Sequence, residues 1–444
     1  MTSATPSLAT SAPPARTWVH RALRLFVPVV GILGLLSLVT YYRMHPDLPF
    51  IRSDGYGYHL YLTAAFVQHD LSFRTEAAEW GADLDYNMGL TRDETTGRYL
   101  NRFPPGQALL MLPAFLGAHF SAPLLGFRQD GFSLPYHFAA AFSGLCALLI
   151  GLTLLRRALE ALFPAGVVLA TLTVVTFGTN LFHYGTADAI FSHVYSFALY
   201  AALLLLVPAW YRSPTVRTSL LLGAVAGYIV LVRPPNGLAL VLVPLYGVYD
   251  GLTQRERLAF FWKHKGGIAL ALLAMGAVLS ILFFYWHYAT GRWVMYSYRG
   301  QGFEFTRPQL LAVLFSLRKG LFFWTPVWLF AGGGFVRDRE HLRDYLMPVL
   351  LFSLFQLYLT AAWWHWPYGL SFGHRAFTEG SAFFALGLAG FLAHLERPAV
   401  RKAVGAVLAL LVAYELFLMV RYWQGRLPGD RTTWAQYQSL FTLP

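Results

Sequence analysis

Apolar residues fall along this chain in long unbroken stretches instead of recurring on one face of a repeat. The first runs from Leu25 to Tyr42, and others follow at about 135–155, 165–183, 190–211, 218–250, 267–287, 320–336, 346–362, 378–394 and 403–420. A helix of this length spans roughly 30 Å of hydrocarbon. Helices in lipid are apolar all round, so periodicity does not separate one face from another. The pattern predicts an all-α, polytopic integral membrane protein.

Charge then sorts the ends of these runs. Arg16, Arg21 and Arg24 precede the first run with no acid among them, which predicts a cytoplasmic tail over 1–21 and an uncleaved anchor over 22–42. Short basic links at Arg255, Arg257, Lys263 and Lys265, at Arg337, Arg339 and Arg343, and at Arg397, Arg401 and Lys402 are expected inside. The segments 43–105, 288–319 and 363–377 and the tail 421–444 then face outward, with membrane helices over 106–287 and 320–420. Two readings remain for the first half. In the preferred one, 106–125 dips in and returns or lies at the surface, and Arg233-Pro234-Pro235-Asn236 splits 218–250 into two crossings, because a Pro-Pro pair frees backbone groups that hydrocarbon cannot satisfy. In the other, 106–125 crosses and 218–250 is one kinked helix, which moves Arg156, Arg157, Arg212 and Arg217 outside. Both give about eleven crossings.

Composition agrees with a lipid solvent: 56% of the 444 residues are apolar and 13% charged, about half the usual charged share. The net charge of +12 is not interleaved with aromatics in a polar patch, so it reads as orientation and not as affinity for nucleic acid. The single cysteine, Cys146, lies in an apolar run, which excludes a disulfide framework and a cysteine-based metal site.

The long polar segment 43–105 holds nine of the 22 acidic residues. Within it, Tyr56 to Gln68 reads as an amphipathic helix suited to the headgroup level, with Tyr58, Tyr61, Leu62, Ala65 and Phe66 on one face. Ahead of it stands Ser53-Asp54-Gly55-Tyr56-Gly57-Tyr58. Asp54 has two readings. It is a helix N-cap, or it is a carboxylate at the boundary of lipid and water, with glycines beside it that let a ligand approach, placed to take a proton from an acceptor hydroxyl.

The motif Ser53-Asp54-Gly55-Tyr56-Gly57-Tyr58-His59-Leu60-Tyr61-Leu62 resembles the acidic motif in the first outer loop of GT-C glycosyltransferases. The nearest resemblance is to bacterial enzymes related to protein O-mannosyltransferases and lipid A aminoarabinose transferases. Asn101-Arg102-Phe103-Pro104-Pro105-Gly106, His193-Val194-Tyr195-Ser196-Phe197, Arg233-Pro234-Pro235-Asn236, Gly320-Leu321-Phe322-Phe323-Trp324-Thr325-Pro326 and Ser371-Phe372-Gly373-His374-Arg375 continue the series in order, over about 25–395. The resemblance implies a polyprenyl-monophosphate sugar as donor, a lipid, polysaccharide or protein hydroxyl as acceptor, and Asp54 as the catalytic acid/base. This chain departs from the family where relatives often carry a second acid or Lys-Pro-Pro and it has Arg102-Phe103-Pro104-Pro105.

A leaving phosphate needs cations or donors aimed at it. Candidates on the outward side are Arg102, Arg233, His374 and Arg375 for the donor phosphate, with Tyr56, Tyr58, His193, Arg299 and Trp366 for the substrate. Each has a structural reading beside it. Arg233, taken as a charge in mid-membrane, could simply pair with an acid. His374 and Arg375 could anchor at a tryptophan belt, Asp188 and His193 could cap a helix or pack in the core, and Arg299, Arg307, Arg318 and Lys319 could form a solvated rim. Asp83 with Asp85, and Asp93 with Glu94, could hold a divalent cation, although loops this acidic are commonly solvated without one. No metal ligand is assigned. Aromatics near 17% are mostly packing, and only Trp363 to Tyr368 and Trp293 to Tyr298 suit sugar or prenyl contacts.

The reading is a multi-pass glycosyltransferase of the cell envelope, suited to a bacterial inner membrane, with its site on the outer face. A transporter or flippase of lipid-linked sugars is the alternative, and a non-catalytic assembly subunit the third class. A flippase predicts symmetry-related halves and a midplane site.

Overall fold

The computed structural model describes residues 15–47, 50–80 and 89–442. In chain order these form α1 (Ala15–Met44), α2 (Asp54–Thr63), α3 (Arg74–Trp80), β1 (Leu90–Arg92), β2 (Tyr99–Asn101), α4 (Gly106–Ser121), α5 (Leu134–Glu160), α6 (Ala165–Phe177), α7 (Leu181–Tyr184), α8 (Ser192–Arg212) and α9 (Val216–Val232). Then come α10 (Leu242–Leu245), α11 (Gly251–Lys263), α12 (Lys265–Thr290), α13 (Leu310–Phe315), α14 (Leu321–Trp324), α15 (Trp328–Arg337), α16 (Arg343–Ala362), α17 (Ser381–Ala393), α18 (Pro398–Trp423) and α19 (Trp434–Ser439). The strands form one antiparallel hairpin, with Leu90 opposite Asn101.

Six helices among the described residues, α1, α5, α8, α12, α16 and α18, are long and apolar enough to cross a membrane, and four shorter apolar ones lie over Ala165–Phe177, Val216–Val232, Pro234–Leu245 and Ser381–Ala393. Their outward side chains are apolar too: Ile32 and Leu36 on α1, Leu272, Leu273 and Phe284 on α12, and Leu410 on α18 are all exposed. An apolar surface this extensive needs hydrocarbon around it. The chain is an all-α, multi-pass integral membrane protein.

Small residues set the helix contacts. A Cβ on Gly223 of α9 would lie 2.0 Å from the Ala271 carbonyl oxygen of α12, and one on Gly334 of α15 would lie 1.6 Å from the Gly387 oxygen of α17. Glycine lets these backbones touch where lipid supplies no hydrophobic drive between helices.

The contacts divide the bundle into two ends. At one, Arg156 Nη1 of α5 donates to the Leu23 carbonyl of α1, and His394 stands 3.7 Å from Asp338. At the other, His119 near the close of α4 bonds Tyr136 near the start of α5 at 2.8 Å, while Gly106 at the start of α4 abuts Leu231 and Val232 at the close of α9. Both termini of α4 therefore lie at the same end as Asp54. The chain breaks after α9 where Arg233 turns to extended backbone, and a 3-10 stretch, Pro234–Val241, follows.

One expectation fails here. Tyr56–Gln68 is not an amphipathic surface helix. Gly55 and every residue from Gly57 to Thr63 are buried, and the helix ends in a π turn over Ala64–Gln68. The reason lies in α4 and the loop after it, which cover this helix. His59 bonds the Gly131 carbonyl at 2.7 Å, and its ring packs on Phe115 and Phe132.

Candidate active site

Asp54 is the first residue of α2, reached through a left-handed turn at Ser53 (φ 50°). The N-cap position belongs to Ser53, so Asp54 is not the cap its neighbours suggest. Its Oδ2 lies 2.9 Å from Arg375 Nη1. The pair is close but poorly aligned for a hydrogen bond: Arg375 Nη1 and Nε are both buried without a hydrogen-bonding acceptor. Gly55 is required here for a different reason from the one its sequence suggests. A Cβ would lie 2.3 Å from Ile190 Cγ2, so the close approach is made by the protein's own 188–193 segment.

Arg375 begins a 3-10 turn, Arg375–Phe377, two residues after Gly373, which is left-handed (φ 59°). Its guanidinium carbon stands 5.1 Å from the Phe191 ring and 5.8 Å from that of Tyr368. Arg233 approaches the same tyrosine, 5.5 Å from its centre. It also donates to Glu379 Oε1 at 3.1 Å, while the other carboxylate oxygen bonds His193 Nδ1 at 2.8 Å. Arg233 thus ends a helix instead of interrupting one, and its partner is an acid that sequence reasoning passed over. An acid at the head of the apolar run 378–394 was the available signal.

Tyr58 is buried and lies within electrostatic reach of Arg233, Asp54 and Arg375, and burial pushes its phenol up to about 12. Tyr298 is influenced by Tyr58, Asp54, Arg233 and Arg102, so the second outer segment and the end of the hairpin border the same group. Tyr298 also meets Trp363 edge-on at 5.8 Å, which joins the two aromatic clusters. Asp54, Tyr58, Arg233 and Arg375 are therefore brought together, with His193 one contact behind Arg233 and Arg102 at the border.

The other candidates lie further out. Tyr56 stacks on Phe132 at 5.1 Å. Arg299 pairs with Asp93 at 2.9 Å and ties the second outer segment to the first. Trp366 lies between the Arg318 guanidinium, 5.7 Å from its ring, and the His374 ring at 6.2 Å. His374 and Arg375 are not interfacial anchors, since both are buried. His374 has no hydrogen-bond partner on either ring nitrogen, and burial, reinforced by Lys319 and Arg375, pushes its imidazole down to about 3.

Lys319 departs most from the expected rim. Only 3% exposed, it donates to the Ser371 carbonyl, to Ser371 Oγ at 3.0 Å and to the Gly373 carbonyl at 3.4 Å. It thereby clamps the loop that carries His374 and Arg375, and burial pushes its ammonium down to about 7. Its neighbour Arg318 forms a two-pronged pair with Asp430 at 2.7 and 2.8 Å.

Asp188 is no helix cap: Phe191 holds that position for α8. It accepts from Arg52 at 2.6 Å and bonds His183 at 2.9 Å. Burial alone would raise this carboxyl, but Arg52 and His183 outweigh it and hold it well below the usual carboxylate range. Asp188 also acts electrostatically on Arg375.

Asp83 and Asp85 lie outside the described residues. Asp93 is engaged by Arg299 and by the amides of Thr95 and Thr96. Among the described residues no three His, Cys, Asp or Glu side chains gather as a metal would require.

No family model matches the sequence, and no curated protein matches it closely. Structural neighbours include archaeal oligosaccharyltransferases. AglB of Archaeoglobus fulgidus, solved with an inhibitory peptide and a dolichol-phosphate, is similar at a TM-score of 0.48 and 13% identity, over 93% of this chain and 57% of that one. The apo oligosaccharyltransferase of the same organism gives 0.49 and 12%, over 95% and 57%. This chain thus spans little more than half the length of those enzymes, and its functional reading rests on its own side chains.

Proposed function

We propose that this protein is a membrane glycosyltransferase of GT-C type that moves a sugar from a polyprenyl-monophosphate donor to an acceptor hydroxyl on the outer face. The observation that carries this is the meeting of Asp54 with Arg375, beside Arg233 and Tyr58, at one end of a lipid-bounded bundle.

The chain crosses eleven times, by α1, α5, α6, α8, α9, 234–245, α12, 321–337, α16, α17 and α18, with α4 returning to the side it left. The contact of Arg156 with Leu23 and that of His119 with Tyr136 support this count. It gathers Arg156, Arg157, Arg212, Arg217 and the basic links at one end, which the positive-inside rule makes cytoplasmic, and leaves Asp54 outside.

The chemistry follows from charge. Before substrate binds, Asp54 and Glu379 balance Arg375 and Arg233. A lipid phosphate docking on Arg375 competes with Asp54 for the guanidinium and frees the carboxylate. The acceptor hydroxyl then attacks the anomeric carbon as the bond from that carbon to the phosphate oxygen breaks. The hydroxyl proton passes to Asp54, and the phosphate leaves with the bonding electrons against Arg375 and Arg233. Direct displacement inverts the anomeric centre. Glu379 and His193 hold Arg233 in place from behind.

The test is transfer from a radiolabelled polyprenyl-phosphate sugar by purified, reconstituted protein. Formation of a glycosidic bond that Asp54→Asn abolishes supports the reading. Movement of labelled lipid across vesicles without bond formation would assign a flippase instead.

A further inference from the structure

At the end of the bundle away from Asp54, three features coincide. A cavity of about 280 Å³ lies between α9, α12 and the 3-10 stretch after Arg233, walled only by apolar groups such as Leu222, Ala226, Leu240, Val243 and Met275. Its mouth is on the outside of the bundle, at Leu272, which is 62% exposed. An apolar void of this kind is not filled by water.

Helix α11 borders this cavity through Phe261. None of its residues is buried. Leu252, Leu258 and Trp262 are exposed, interspersed with Arg255, Arg257 and Lys263, and Lys265 follows with its ammonium 4.8 Å from the Trp262 ring. This is the make-up of a helix lying in the membrane interface.

Arg257 joins the two. Its guanidinium carbon stands 3.8 Å from the Tyr211 ring, and the Tyr211 hydroxyl donates to the carbonyl of Val243, a wall residue, at 2.6 Å. Arg257 Nε is buried and has no hydrogen-bond partner. Of the nearby acids, Asp250 is engaged in capping α11, Glu256 is exposed on α11, and Asp344 lies across Gly247 from Arg257 without forming an ion pair with it. The arginine therefore stands one contact behind the cavity wall, through Tyr211, with its Nε uncommitted.

We infer that this end of the protein binds one anionic phospholipid, with an acyl chain in the cavity and the phosphate on Arg257, within reach of Lys263 and Lys265. The surplus of basic side chains selects the anionic headgroup, and the dry cavity takes the chain. The site is independent of the transferase reading.

The test is native mass spectrometry of the protein reconstituted in equal amounts of phosphatidylglycerol and phosphatidylcholine. The wild type is expected to retain one phosphatidylglycerol, enriched roughly tenfold over phosphatidylcholine. Arg257→Gln should bring the two lipids to parity, as should Lys263→Gln with Lys265→Gln, which leaves the bundle contacts untouched. Leu272→Trp, at an exposed position, should close the mouth and lose both lipids. Equal retention of the two lipids by the wild type, or retention of phosphatidylglycerol by Leu272→Trp at the wild-type level, would overturn the inference.

Discussion

Asp54 Oδ2 stands 2.9 Å from Arg375 Nη1, so the turn that follows α1 and the loop that precedes α17 share one ion pair at the head of the bundle. The carboxylate becomes a useful base only when another anion draws the guanidinium away.

Replacing Asp54 by Asn keeps the shape and removes the base. Transfer is expected to fall by about 10²–10⁴-fold, the usual range for a positioned general base, with donor affinity little changed. Single-turnover rates at saturating donor, alongside an unaltered melting temperature, check this.

Arg375→Lys retains a charge but loses the planar fork that can serve a carboxylate and a phosphate in turn. The expected loss in kcat is about 10²–10³-fold, close to that for removing one donor to a developing anion. A rate equal to wild type would remove Arg375 from the transfer step.

Glu379→Gln faces Arg233 with a neutral partner and leaves a single side-chain oxygen for Arg233 and His193 to share. Breaking such a buried pair costs about 3–5 kcal/mol. A clear fall in the unfolding midpoint in detergent is expected, larger than that for Arg299→Gln, whose side chain is 38% exposed and returns to water when the pair is broken.

Lys319 gives a pH dependence of definite sign. Its folded value is near 7, pushed down by burial from an ordinary value of 10.5, so between these limits the unfolded chain binds a proton that the folded one does not. This group's contribution to stability therefore rises with pH across that window, and the cost of burying its charge is fully present below it. Lys319→Met is expected to flatten the rise. Parallel stability curves for the two proteins between pH 6.5 and pH 9.5 would contradict the assignment.

Much of this was legible from residue order. The apolar runs located the helices, Arg233-Pro234-Pro235 marked a real break, and Asp54 and Arg375, each singled out as a candidate, lie 2.9 Å apart. Three things were not legible. Lys319 reads as a rim charge because it follows Arg318 at the close of an outer segment, and only the fold shows the Ser371–Gly373 loop lying over it. Glu379 hides beside an apolar run whose length drew attention instead. Tyr58 to Gln68 shows helical spacing of aromatics, but spacing does not reveal that α4 covers the face expected to meet lipid.

Helix α18 is stitched to α1 and α7 at the end of the bundle that holds Asp54: Trp423 donates to His183 at 2.9 Å, its carbonyl meets His45, and its ring lies 5.7 Å from that of Tyr41. Since His183 in turn supports Asp188 beside Arg375, α18 must be made before this end of the bundle can assume its final form. Nascent chains halted before α18 should accordingly enter the membrane with this end of the bundle still unset.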